Sequence, residues 1–494
     1  MDKCVLLHFV FFCFYLDMMK KSRVDLTEGS IISHLFKLAV PTIGASFMQM
    51  AYSLTDMLWL SSLGEEAVAS AGTAGFYVWF GISLLLVTRV GAEVGVSQSL
   101  GRKEPHIALK FMRHSLIWAL IISAIYAVVV YIFAPHLIDF FQIASPTVQS
   151  EGTKYLRIVS FAFVFSYTNP TFSGIYNGMG NSRLPFWYMT VGLVVNMILD
   201  PLLIFGWGFI PAMGVSGAAW ATFFSQLVVF SIFIYRFIIR QEMVSLQLSK
   251  FNYHRRITKR IFTLGIPVAA ESALFALFAI ILARFVANFG AVAIAVQSIG
   301  GQIEAISWMT ASGFATALGS FTGQNFGAGH WHRIRKGFYY TLFIGTVLAL
   351  PVSVVFFVWG RELYSLFFSS VESQILGGTY LKILAISQLF MIYEITTRGA
   401  FNGVGRTIPP SLVGIVFTGL RIPMAFFLMH LEYFGLFGIW WAISITSVLK
   451  GSFLPLWFRR VLNKHSGKDQ GAEKHSLIVL LPSRLRQQWF ISKK

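Results

Sequence analysis

Read from its amino terminus, the chain alternates long apolar runs with short polar connections. Runs of membrane-spanning length fall at about 35–60, 67–97, 113–133, 155–177, 186–206 and 215–239, then at about 262–287, 291–318, 338–358, 380–402, 410–430 and 435–458. A helix needs roughly 20 apolar residues to cross the hydrocarbon core of a bilayer. The pattern therefore predicts an all-α membrane protein of twelve transmembrane helices in two sets of six. The most polar interior stretch, Arg240–Arg260, divides the sets. The expected units are an N-terminal extension (1–30), a first lobe (31–245), a basic linker (246–260), a second lobe (261–460) and a tail (461–494).

The two sets repeat. Gln98, Gly101, His106 and Lys110 correspond to Gln324, Gly327, His332 and Lys336, each 226 residues on, and LAVP (38–41) matches LGIP (264–267) at the same shift. KYLRI (154–158) matches TYLKI (379–383), and GIYNGMGNSRLP (174–185) matches GAFNGVGRTIPP (399–410), at a shift of 225. An even number of helices per repeat brings both halves in from the same side. The halves are then related by a pseudo-twofold axis along the membrane normal, an arrangement that leaves a cleft between two lobes and predicts a transporter.

Composition agrees with the pattern. The chain is 56% hydrophobic and 12% charged, with a mean hydropathy of +0.67, whereas soluble domains carry about 25% charge. The net charge of +18 is a matter of topology rather than nucleic-acid binding. Lys and Arg gather before the first span, in connections 2–3, 6–7 and 8–9, and after the last span; the opposite connections hold Glu65, Glu66 and Glu432. By the positive-inside rule both termini are expected in the cytoplasm. The only cysteines, Cys4 and Cys13, permit no disulfide framework and no Cys/His metal cluster. The 13 apolar residues 4–16 are too short to span easily, and Met19 followed by Lys20, Lys21 and Arg23 reads as a more natural start. No zinc motif, nucleotide loop or nucleophile arrangement points to an enzyme.

The fifth run, FWYMTVGLVVNMILDPLLIFG (186–206), holds Asn196 and Asp200 four residues apart, followed by Pro201. Residues i and i+4 share a helix face, and an Asp at that depth costs roughly 2.5–3.5 kcal/mol on insertion scales. Pro201 donates no backbone N–H, so a carbonyl one turn back is freed. Carboxylate, amide and carbonyl together suit a proton or small cation; the alternative is a helix-packing polar pair. In the first span, Asp56 shares a face with Tyr52 one turn earlier. Packed beside the fifth, it would form one network, and two carboxylates in a low-dielectric pocket cannot both ionise cheaply. The buried acids are not duplicated: Asp56 and Asp200 correspond to Leu282 and Ala425, while Glu271, Glu304 and Glu394 correspond to Ala45, Val78 and Asn169. Glu271, Glu304 and Glu394 are secondary candidates. Glu394 is placed to pair with Arg398 at i+4, and Arg421 is a partner for Glu394 or Glu271. Gly91/Gly95, Gly174/Gly178 and Gly399/Gly403 permit close helix contact. His330 and His332, two residues apart, do not share a helix face and are not expected to bind metal. Phe76, Trp79 and Trp308 are among the aromatic residues of the candidate cleft.

These residues resemble the multidrug and toxic compound extrusion (MATE) transporters over about 30–460. The likeness is carried jointly by VPTIGASFMQMAYSLTDMLWLSSLGEEAVASAGTA, SQSLGRKE, YNGMGNSRLP, NMILDP, GAAWAT, QIEAISWMTASGFATALGSFTGQNFGAG and FNGVGRT. The chain is most similar to the DinF-like bacterial branch. That resemblance implies a proton-coupling site in the first lobe at Tyr52, Asp56, Asn196 and Asp200, joined by a sixth-span threonine matched to Thr222. A NorM-like sodium site fits less well: Glu271 sits about a turn early, and Ser387 falls near the tenth-span aspartate. The expected function is a secondary antiporter driven by H+ or Na+, with no other cofactor. It would export small organic cations from the cytoplasm through a bacterial inner membrane, as a monomer with lipid and no nucleic acid as partner. The alternative is a flippase for lipid-linked saccharides, whose cleft would be more basic.

Overall fold

A computed structural model describes residues 24–143, 145–208, 210–238 and 252–480. Most of the extension and the first half of the proposed linker lie outside the described residues. The N-lobe holds α1 (Ile31–Ser61), α2 (Glu65–Gly101), α3 (Pro105–Asp139), α4 (Pro146–Gly178), α5 (Arg183–Ile204) and α6 (Val215–Ile238). The C-lobe holds α7 (Arg255–Ala287), α8 (Ala291–Gly327), α9 (Trp331–Val358), a one-turn α10 (Gly360–Ser365), α11 (Val371–Ala385), α12 (Gln388–Gly403), α13 (Ile408–Met429) and α14 (Gly435–Leu480). Twelve spans result, because α11 and α12 are one span bent by 51°. Among the described residues, nine helices and this bent pair are apolar enough to cross a membrane by composition. The other two spans, α4 and α8, are 33 and 37 residues long and carry Ser, Thr and Asn side chains that are buried against other helices. No β-strand occurs among the described residues beyond an isolated Trp207–Ile210 bridge.

Local signals set the boundaries. Ser30 caps α1 by accepting from the Ser33 amide, and Pro105 and Pro146 open α3 and α4, where a missing N–H costs nothing. Gly64 and Gly290 precede α2 and α8 with φ of 109° and 96°, a backbone region that favours glycine. They are 226 residues apart, so the repeat extends to the turns. α14 runs past the expected lobe boundary at Arg460, and Val461 and Leu462 are buried.

Within each lobe, helix backbones touch at glycine. A Cβ at Gly174 or Gly178 would press on the carbonyls of Arg89 and Glu93 in α2; Gly399 and Gly403 stand likewise against Ala315 and Gly319 in α8. The expected role of these glycines as close-contact positions is what the geometry displays.

The lobes meet along α1–α8, α2–α7 and α2–α8. The seam is pseudo-symmetric. Gln98 Nε2 donates to the Gly403 carbonyl (2.8 Å), and its repeat mate Gln324 donates to the Gly178 carbonyl (3.0 Å). Gly101 lies on the Gln324 backbone and Gly327 on that of Gln98, with no room for a Cβ at either. Further along, Ser320 donates to Glu93 (3.2 Å) and Ser83 to Ser272 (3.1 Å). Beyond that, Gly72, Gly75 and Gly301 have open space beside them, and Phe76, Trp79 and Trp308 are exposed. The cleft thus closes at the end with the basic connections and opens toward Glu65, Glu66 and Glu432.

Residues 24–30 lie across the closed end. The Val24 amide donates to the Met179 carbonyl of the N-lobe (3.0 Å), and the Leu26 amide to Gln324 Oε1 of the C-lobe (2.9 Å). Arg333 gathers the carbonyls of Leu26, Glu28 and Gly29. Leu26 is buried in a hydrophobic cluster that joins Leu35 and Leu38 of α1 to Phe321 and Phe338 of the C-lobe, so these residues, expected to belong to an extension, form a strap across both lobes.

Candidate functional site

Near the open end of the N-lobe, α5 turns Asn196 and Asp200 inward, both fully buried. Asn196 Nδ2 donates to Asp200 Oδ1 at 3.2 Å, as their i, i+4 spacing requires. From α1, Asp56 lies beside both, and Tyr52 meets Ser225 of α6 at 3.1 Å. Thr222 lies beside the Tyr52 hydroxyl. The five residues singled out in this lobe are therefore brought together. Asp56 and Tyr52 are partly exposed, while Asn196 and Asp200 are not. Asp56 Oδ1, Asp200 Oδ2, Asn196 Oδ1 and Thr222 Oγ1 are buried without a hydrogen-bond partner. No Lys or Arg among the described residues forms an ion pair with either aspartate. Two adjacent carboxylates with unpaired inward oxygens form a site that a proton or small cation would complete.

The C-lobe acids sit differently. Arg398 Nη2 contacts Glu271 Oε1 at 2.7 Å and Glu394 Oε1 at 2.9 Å, and Lys450 Nζ of α14 contacts Glu394 Oε2 at 3.0 Å. The Glu394–Arg398 pair matches the expectation from spacing. Arg421 does not pair as expected: it donates instead to Thr446 Oγ1 (2.8 Å) and Ser447 Oγ (2.9 Å) of α14, because Lys450 already occupies the second Glu394 oxygen. Glu304 accepts from Gln388 at 3.1 Å, at the start of α12 beside the bend. Gly414 leaves the room that the Glu271 carboxylate fills.

Several functional candidates escaped the sequence reading. Ser225 and Lys450 stand within expected spans, where no spacing marks them. Tyr155 of α4 approaches Asp56 and Asp200, and its repeat mate Tyr380 approaches Glu304; the KYLRI/TYLKI match carried that signal. Glu93, at the seam, corresponds to Gly319, which leaves space for its carboxylate. His330 and His332 have ring centroids 6.2 Å apart, and no metal-binding group of His, Cys, Asp or Glu occurs among the described residues.

Two pseudo-symmetric lobes of six spans around a one-sided cleft, with acids lacking a basic partner in one lobe, define a polytopic membrane transporter. The MatE family model matches residues 41–202 and 267–427, one stretch in each lobe. The chain belongs to the MatE family. The probable multidrug resistance protein NorM of Thermotoga maritima is 26% identical over 457 residues, covering 89% of this chain and 96% of that protein. The FAD transporter of Shewanella oneidensis is 25% identical over 449 residues, covering 87% and 95%. Among solved structures, MATE in the bent conformation aligns with a TM-score of 0.82 at 24% identity over 90% of this chain and 98% of that one. A MOP superfamily transporter from Pyrococcus furiosus aligns at 0.81 with 25% identity over 89% and 98%.

Proposed function

We propose that this protein is a cation-coupled antiporter that exports organic cations or drugs, with the coupling cation bound by Asp56 and Asp200. One observation carries the reading: these are two adjacent carboxylates without a basic partner, Asp200 buried and Asp56 partly exposed, whereas Glu271 and Glu394 are already neutralised by Arg398 and Lys450. The names of relatives such as the Thermotoga NorM support drug export. A proton is the favoured ion, since one proton shared between the carboxyl groups supplies the donor that Asp56 Oδ1 and Asp200 Oδ2 lack. The basic end faces the cytoplasm of a bacterial cell, and the protein works as a monomer.

The cycle follows from linkage. The cleft faces outward here, and the acid pair lies in that outer half. Binding the coupling cation changes the charge of the Asp56–Asp200 pair and the hydrogen bonding of Tyr52, Asn196 and Thr222, which lowers affinity for a cationic cargo and releases it outside. Parting of the seam then returns the site to the cytoplasm, where the ion leaves and cargo rebinds. The flippase alternative asks for free intramembrane bases, but Arg398, Arg421 and Lys450 are each engaged.

The test is efflux of a cationic dye from proteoliposomes under separate proton and sodium gradients. A proton gradient should drive efflux, and Asp200→Asn should abolish it. Sodium-driven efflux that survives Asp200→Asn would overturn the assignment of the site, and absence of dye movement under either gradient would overturn the cargo.

A further inference from the structure

The charged cluster of the C-lobe has no counterpart in the other half. Segments GAAWA (217–221) and GIWWA (438–442) align the last helices of the lobes at a shift of 221. Lys450 then corresponds to Val229, while Glu271, Glu394 and Arg398 correspond to Ala45, Asn169 and Ser173. All four charges are present in one half and all four are absent in the other. They balance, two acids against two bases, and they join three helices: α7, α12 and α14. The N-lobe holds the opposite arrangement, two acids with no base.

We infer that Lys450 is a built-in cation of the C-lobe, its ammonium holding the place that a free monovalent cation would otherwise take on Glu394, and that it thereby determines which lobe binds the coupling ion. Lys450 is 5% exposed and Glu394 4%, so water does not neutralise the pair. A lysine ammonium is a compact point charge, and here it sits on one carboxylate oxygen, Glu394 Oε2, while Arg398 takes the other. Removing the ammonium leaves Arg398 as the one ion-pair partner of Glu271 and Glu394 among the described residues, with Arg421 near Glu394 but bonded to Thr446 and Ser447, so the ion-paired cluster carries one net negative charge in a buried setting. The stem of Lys450 vacates space beside Glu394 Oε2. Nearby, the Glu271 carboxylate and the Ser411 hydroxyl lie beside one another, and Glu271 Oε2 and Ser411 Oγ are buried with no other partner, so both oxygens are within the reach of a cation held there. The role in coupling rests on the antiport reading above; the place-holding itself does not.

The experiment separates the two. Asp56→Asn and Asp200→Asn together neutralise the N-lobe acids, and thermal unfolding of the purified full chain is followed in sodium chloride or N-methylglucamine chloride at equal ionic strength. With Lys450 present, sodium should leave Tm unmoved. With Lys450→Met added, Tm should rise steadily with the logarithm of sodium concentration, as expected of an ion bound only by the folded state. Adding Glu394→Gln to that variant removes the vacancy and should abolish the rise. A sodium response while Lys450 is present, or none in Lys450→Met, overturns the inference. Should Lys450→Met fold only together with Glu394→Gln, sodium cannot replace the ammonium and the inference falls; should neither variant fold, Lys450 is a packing residue and it falls as well. The efflux assay is read independently, so coupling elsewhere would not imitate any of these results.

Discussion

Gly101→Ala addresses the seam directly. A methyl group there would overlap the backbone of Gln324 in the opposite lobe, and backbone atoms, unlike a side-chain tip, cannot rotate aside. Overpacking of this kind costs typically about 1–3 kcal/mol. The two cross-lobe amide bonds, Gln98 to Gly403 and Gln324 to Gly178, each contribute about 0.5–1.5 kcal/mol net, so the clash rivals what it displaces. A shift of 1–3 kcal/mol changes the ratio of closed to parted seam roughly 5- to 150-fold. The assay uses the scarcity of cysteine. With Cys4 and Cys13 replaced by Ser, a reporter is placed at Ser97, which is fully buried and faces Gly323 across the seam. Its maleimide labelling should accelerate by the same factor in Gly101→Ala. A second reporter at Ala219, buried inside the N-lobe, should stay unlabelled. An unchanged rate at Ser97 would refute the claim that this contact holds the cleft closed, and equal acceleration at both sites would show general loosening instead.

Two further outcomes are expected. Arg333→Ala removes the hub of the strap, including bonds to Leu26, Glu28 and Gly29; hydrogen exchange at Leu26 should speed up about tenfold or more, since bonds from a charged donor are worth about 1.5–3 kcal/mol, and unaltered protection would contradict the anchoring role. Tyr52→Phe loses the 3.1 Å contact with Ser225, which still donates to the Thr222 carbonyl; dye efflux should remain proton-driven at a rate reduced only a few-fold, and complete loss would place Tyr52 among the ion ligands.

The sequence disclosed what depends on local periodicity. Spans, the Asn196–Asp200 bond and the Glu394–Arg398 pair follow from spacing on a single helix, and the pairing of the halves from segments matched 225 or 226 residues apart. Contacts between helices were only partly legible. Gln98 and Gln324 were visible as repeat mates, but their use as donors depends on which faces of α2 and α8 meet. Glu271 with Arg398, and Glu394 with Lys450, join helices far apart in the chain, so Lys450 read as an ordinary residue near a span end. The bend between α11 and α12 falls at Ile386–Ser387, where neither Pro nor Gly announces it. Leu26 is not legible in the sequence, because one buried side chain in a short polar segment has no periodicity to betray it.

The glycine contacts inside the lobes bear on stiffness. Where Gly174 and Gly178 seat on α2, and Gly399 and Gly403 on α8, backbone bears on backbone with no side chain between them to yield. Each lobe is therefore stiff at its own spine, while the lobes join one another through the glycine contacts at Gly101 and Gly327, side-chain bonds from Gln98, Gln324, Ser320 and Ser83, and the strap. A molecule built this way is expected to move as two solid pieces, with each turnover requiring those cross-lobe contacts to part and re-form.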